Sequence, residues 1–202
     1  MQRRKLLKQM TFGFGVFATG FLPYALARLL APAEKLFKGT KLKPPGALKG
    51  TLAFEQACIG CGLCGEVCPP RCIKFNKREG GGEVNIPYID PEEKACILCG
   101  KCMDVCPTNA LTKVDRDKVD MGIAQIDRTA CYPWVDKGIC GACAVVCPLG
   151  EKAIGFDFAN IYRPVVKEGC VGCGLCVEVC PHPSLPIRIV ERHEGTITSH
   201  TI

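Results

Sequence analysis

The sequence predicts an α+β fold of short strands and short helices, built from four copies of one cysteine-rich unit. Two observations carry this prediction. The cysteines recur at a fixed spacing, and the segments between the copies alternate strand-like pieces with turns.

Copy one is Cys58-x2-Cys61-x2-Cys64-x3-Cys68-Pro69. Copy two is Cys96-x2-Cys99-x2-Cys102-x3-Cys106-Pro107. Copy three is Cys131-x8-Cys140-x2-Cys143-x3-Cys147-Pro148. Copy four is Cys170-x2-Cys173-x2-Cys176-x3-Cys180-Pro181. After copy one come the strand-like Cys72-Ile73-Lys74-Phe75, the turn Glu79-Gly80-Gly81-Gly82 and the strand-like 84–89. After copy two come 110–114 and 122–126, after copy three 153–156 and 162–166, and after copy four 186–190.

The run C-x2-C-x2-C-x3-C-P is the bacterial ferredoxin spacing. Three thiolates wrap one 4Fe–4S cubane from a tight loop, and the fourth turns to the neighbouring cluster. Gly62, Gly100, Gly141 and Gly174 follow the second cysteine of their copies, where a missing Cβ lets backbone N–H groups approach the cluster sulfurs. Pro69, Pro107, Pro148 and Pro181 fix φ at the turn and need no amide partner. Ile59, Leu63, Val67, Val171, Leu175 and Val179 lie between thiols and exclude water. Zinc knuckles use paired C-x2-C set apart, and cysteines three residues apart are poor disulfide partners. The expected cofactors are therefore four 4Fe–4S clusters. Sixteen of the 17 cysteines hold them: Cys58, Cys61, Cys64, Cys68, Cys96, Cys99, Cys102, Cys106, Cys131, Cys140, Cys143, Cys147, Cys170, Cys173, Cys176 and Cys180.

Each pair of copies is too small to build much apolar core, so the clusters serve as the core of two ferredoxin-like units. Two pairings are open. In the tandem form copies one and two make one unit, and copies three and four the other. In the nested form copies two and three make an inner unit between one and four. The nested form is the favoured expectation. Copies two and three have every strand a unit needs, whereas no clear strand precedes copy one. Four-cluster subunits of molybdoenzymes that resemble this layout are also nested. Nesting puts Cys180 with Cys58, Cys61 and Cys64, and Cys68 with Cys170, Cys173 and Cys176. It puts Cys147 with Cys96, Cys99 and Cys102, and Cys106 with Cys131, Cys140 and Cys143.

Four residues stand outside the regular pattern. Cys72 is the seventeenth cysteine and occupies the place of Ala110 after copy two, so it reads as a small packing residue. Trp134, the only tryptophan, lies in the widened gap of copy three and reads as cover for its own cluster rather than as a docking anchor. His182 reads as a surface histidine. Lys101 reads equally as a solvated lysine and as a cation that raises the second cluster's potential.

The formal net charge of +6 over 202 residues does not mark a nucleic-acid binder. Residues 1–33 carry five basic side chains and no acid, which leaves 21 basic against 20 acidic in the remainder. Each all-cysteine cluster adds about −2, so the processed protein would carry roughly −7. The basic residues belong to a targeting segment. Arg3-Arg4-Lys5-Leu6-Leu7-Lys8 is similar to the twin-arginine export pattern, with Leu6 where Phe is usual. An uncharged apolar stretch follows from Met10 to Ala27, with Ala25-Leu26-Ala27 as the first candidate cleavage site and Ala31-Pro32-Ala33 as the second. Cleavage is favoured over retention as an anchor. The expected organisation is a leader or anchor over 1–33, an extended arm over 34–57, a double ferredoxin-like domain over 58–190, and a tail over 191–202. The four motifs occupy 58–68, 96–106, 131–147 and 170–180.

The leader, the Pro44-Pro45-Gly46-Ala47 arm, Phe54 four residues before Cys58, and the widened third copy resemble the MauM/NapG family of periplasmic ferredoxin-type proteins. That resemblance implies a periplasmic, membrane-associated electron carrier. It would connect a membrane quinol-oxidising iron–sulfur protein with a periplasmic cytochrome or molybdoenzyme. The alternative is an iron–sulfur subunit bound directly to a molybdopterin oxidoreductase, although the twelve residues after Val190 offer little for such an attachment. No nucleotide motif or catalytic triad is present, and every copy has four cysteines and so no open iron. The expectation is an electron-transfer component with no catalytic residues and no substrate chemistry of its own.

Overall fold

The structure, a computed structural model, describes residues 41–76 and 84–192. The leader, the first part of the arm, the Glu79–Gly82 turn and nearly all of the tail lie outside the described residues. No helix among the described residues is long and apolar enough to cross a membrane.

The helices are short. The longest among the described residues is α1, Thr51–Ala57. The expected extended arm therefore ends earlier than residue 57. The sequence Thr-Leu-Ala-Phe-Glu-Gln-Ala is built of residues that lose little in a helix. Gly50, with φ of 87°, starts it, and its Phe54 is almost fully buried. Each copy then contributes a single helical turn behind its second cysteine: α2 (Leu63–Glu66), α3 (Lys101–Asp104), α4 (Ala142–Val145) and α5 (Leu175–Glu178).

Among the described residues six strands form three two-stranded antiparallel sheets. β1 (Ile73–Phe75) pairs with β2 (Pro87–Ile89), and β4 (Ile154–Ala159) pairs with β5 (Ile161–Val166). β3 (Ile123–Ile126) pairs with β6 (Ile187–Val190), with Ile123 opposite Val190. The strand before copy three thus pairs with the strand after copy four. The same relation recurs around copies one and two in reduced form. There Ala47 of the arm bridges Leu111, and the Thr112 N–H donates to the Gly46 carbonyl at 2.8 Å. The arm also extends the first sheet, because Leu42 and Ile89 exchange two hydrogen bonds of 2.8 Å.

These pairings join the segments around neighbouring copies, whereas the nested form favoured from the sequence would join copy two to three and copy one to four. The strand that copy one lacks is supplied by the arm. Pro44 and Pro45 remove two donors, so only isolated bridges form and no strand pattern shows in the sequence. For the same reason 110–114, expected as a strand, keeps only its bridge at Leu111. Gly46 has to be glycine: its φ is 75°, and a Cβ there would overlap the Thr112 carbonyl oxygen.

The two halves meet through copies two and four. The Cys96 N–H donates to the Cys173 carbonyl at 3.0 Å, and the Met121 N–H to the Val171 carbonyl at 3.0 Å. Glu178 takes the Ala95 N–H on one carboxylate oxygen at 2.8 Å and the Lys94 ammonium on the other at 2.7 Å. Burial opposes ionisation of Glu178, yet these two donors hold its carboxyl below the usual range. Glu178→Ala removes both contacts and should cost about 1–2 kcal/mol. Glu178→Gln keeps an acceptor for Ala95 and should cost less. Apparent Tm of the cluster-loaded protein checks the order wild type, E178Q, E178A.

Four thiol-lined cavities as candidate metal centres

Each helical turn begins at the glycine behind a copy's second cysteine. Gly62, Gly100 and Gly174 take φ of 82°, 77° and 87°. This left-handed step folds the loop back so that three thiols face one point. Gly141 differs, with φ of −135°. The widened gap of copy three enters the loop from another direction, and the Phe156 ring lies where a Cβ at Gly141 would stand, 3.1 Å away.

The sixteen predicted cysteines line four cavities in four sets. The first cavity has Cys58, Cys61, Cys64 and Cys106. The second has Cys68, Cys96, Cys99 and Cys102, and also Cys72. The third has Cys131, Cys140, Cys143 and Cys180. The fourth has Cys147, Cys170, Cys173 and Cys176. Cys106, not Cys180, faces the thiols of copy one, and the nested exchange of fourth cysteines gives way to exchange between neighbouring copies. α2 packs on α3, as α4 packs on α5.

The donor chemistry fits iron–sulfur clusters. No described group of His, Cys, Asp or Glu side chains converges closely enough for a single bound ion. Four thiols around a larger space suit a polynuclear cluster instead. Burial first, and then neighbouring thiolates, push Cys64 up to about 11, Cys102 to about 12, and Cys143 and Cys173 to about 11. Bare thiolates are thus unstable in these cavities, and iron supplies the missing positive charge. Backbone donors already point at sulfurs: Leu98 N–H to Cys96 Sγ at 3.3 Å, Leu111 to Cys106 at 3.4 Å, and Ala124 to Cys170 at 3.4 Å.

The outlying residues fall into place around this frame. Trp134 donates from Nε1 to the Pro164 carbonyl at 3.0 Å and carries the Arg128 guanidinium 4.1 Å above its ring, so it ties the widened loop to β5. His182 is half-buried, 4.5 Å from the Tyr132 ring, and accepts from the Ser184 N–H. Lys101 is exposed. Cys72 is almost fully buried, and its Sγ is 3.5 Å from Cys68 Sγ. Its hydrogen bond holds Cys96 down to about 7, and the same contact, followed by burial, pushes Cys72 upward.

The sequence reading missed Glu178 and Arg192. Arg192, taken as part of the tail, donates to the carbonyls of Cys170 and Glu168 and to Asp120. It fastens the strand after copy four to the fourth cavity's loop. The only signal for Glu178 was an acid in the same place of copies one and two, Glu66 and Asp104. A lone arginine after a strand gives none.

Comparison with known proteins identifies the kind of domain. A 4Fe–4S dicluster domain model matches residues 57–110 and 95–151, and a second 4Fe–4S dicluster domain model matches 124–181. The methylamine utilization ferredoxin-type protein MauM of Methylobacillus flagellatus is 33% identical, over 96% of this chain and 86% of its own length. MauM of Paracoccus denitrificans is 33% identical, over 87% and 81%. The ferredoxin-type protein NapG of Haemophilus influenzae is 30% identical, over 94% and 71%. The chain belongs to the MauM/NapG family of ferredoxin-type proteins. It is an iron–sulfur electron-transfer protein with 4Fe–4S clusters.

The grouping of thiols gives a direct test. A fragment of residues 41–118 contains both cysteine sets of the first half. Reconstituted with iron and sulfide, it should take up about eight iron atoms. Iron and sulfide analysis checks this, and nested pairing would leave the fragment without either complete set.

Proposed function

We propose that the chain relays electrons through four 4Fe–4S clusters, one in each thiol-lined cavity. The observation that carries this is the division of sixteen cysteines into four sets of four. Each cluster would take up and give up one electron at a time. The protein supplies thiolates, backbone donors and apolar cover.

The order of the relay follows from adjacency. The first and second cavities share copies one and two, and the third and fourth share copies three and four. The Cys96–Cys173 hydrogen bond joins the second to the fourth. The path therefore runs first, second, fourth, third. Exposed Ile59 and Leu63 flank the cavity at one end, and exposed Ile139 and Val145 the cavity at the other. Each of the two interior cavities has a neighbour on either side along this path, which suits a carrier with no substrate chemistry of its own.

The proposed partners are a membrane quinol-oxidising iron–sulfur protein at one end and a periplasmic cytochrome or molybdoenzyme at the other. Affinity purification from gently solubilised native membranes tests this. Recovery of a multi-span iron–sulfur protein is the expected result. Recovery of a large soluble molybdopterin oxidoreductase alone would make the chain its dedicated subunit instead.

The proposed site of action is the periplasm, reached by twin-arginine export, with the folded part held near the cytoplasmic membrane. Arg3→Lys with Arg4→Lys should leave the cluster-loaded protein in the cytoplasm. Cell fractionation with iron analysis reads the outcome.

A further inference from the structure

The second cavity is unlike the other three, because five thiols line it. Cys72 stands immediately before β1, as Ala110 stands before the Leu111 bridge and Ala153 before β4. All three side chains are 1% exposed, and each lines the cavity beside its own copy's fourth cysteine (Ala110 with Cys106, Ala153 with Cys147). A methyl group therefore fills this place in the fold twice. At Cys72 a sulfur has been added to a position where packing needs only a Cβ.

That added sulfur has an acceptor. Cys72 Sγ lies 3.5 Å from Cys68 Sγ, within hydrogen-bond range for sulfur. Cys68 bound to iron is a thiolate without a proton, so it can only accept. Cys72 stands outside the four-cysteine set of this cavity, so its S–H is the one left to donate across the 3.5 Å contact. The contact with Cys96 does not change the destination, because Cys68 and Cys96 line the same cavity.

We propose that Cys72 is a positioning residue whose S–H donates to the Cys68 thiolate and selectively raises the reduction potential of the cluster in the second cavity. A donor to a ligand sulfur withdraws negative charge from the cluster and favours the reduced, more negative state. Neither Ala110 nor Ala153 offers such a donor. The effect falls on an interior cluster beside the junction of the two halves, and so on the step at which an electron crosses between them. The inference rests on the reading that the four cavities hold clusters.

The test uses the full chain, loaded with iron and sulfide, in three forms: wild type, Cys72→Ala and Cys72→Ser. Iron and sulfide are counted first, and reduction is then followed by EPR-monitored potentiometric titration. All three forms should hold about sixteen iron atoms, because alanine already serves at the equivalent places. In C72A one of the four reductions should move to lower potential. In C72S the hydroxyl donor should return it to the wild-type value or above. Four unmoved reductions in a fully loaded C72A overturn the proposal. Loss of one cluster's iron from C72A also overturns it, since the thiol would then retain the cluster rather than tune it. A wild-type chain that takes up no iron in the second cavity sinks the underlying reading, and the proposal with it, and the initial iron count distinguishes that failure from the others.

Discussion

The whole structure depends on an electrostatic constraint: thiols crowded out of water cannot all become thiolates unless positive charge joins them. Eight of the buried side chains described are cysteines, and no polar or charged side chain among the described residues is fully buried. In most folds of this size an apolar core holds the elements together. Here the sheets have two strands each and the cluster-loop helices are single turns, and the buried cysteines belong to one continuous core with apolar residues such as Phe54, Ile89 and Ile189. Folding and iron uptake are then one process, as in other small domains whose ligands come together only in the native state.

The short elements position donors more than they supply stability. A left-handed glycine turns three of the four loops, a single helical turn carries the chain to the fourth cysteine, and a short strand or bridge leads away. Backbone N–H groups left unpaired by such brief secondary structure would ordinarily be a cost. Several of them point to cysteine sulfurs instead. Irregular backbone near the cavities thus becomes part of the electronic environment of whatever they hold.

Much of this was legible in the sequence because the chemistry demands fixed spacing. The cysteine sets and the positions of β1, β3, β4, β5 and β6 could be read to within a few residues. The pairing of copies could not. It depended on Leu42 and Ala47, which form single bridges inside a proline-rich arm where no alternation of side chains exists. The helix Thr51–Ala57 was hidden by the same prolines, whose influence was carried too far along the chain. Cys72, read as a packing residue, is almost fully buried, and its closeness to Cys68 is what a sequence does not show. Glu178 and Arg192 act across contacts of more than twenty residues' separation, and no local pattern announces these.

In the proposed relay, the joining of the two halves through copies two and four leaves copy one at one end of the path and copy three at the other. Both extremities are built from the leading copy of a half, so a strict duplication would give the wire two like ends. A partner fitted to one would fit the other, and electrons would have no structural reason to enter at either. The eight residues between Cys131 and Cys140, pinned by Trp134 to Pro164, exist at one extremity alone. Val145 stands there where the other three copies place an acid. These departures break the symmetry of the duplication and give the wire a polarity.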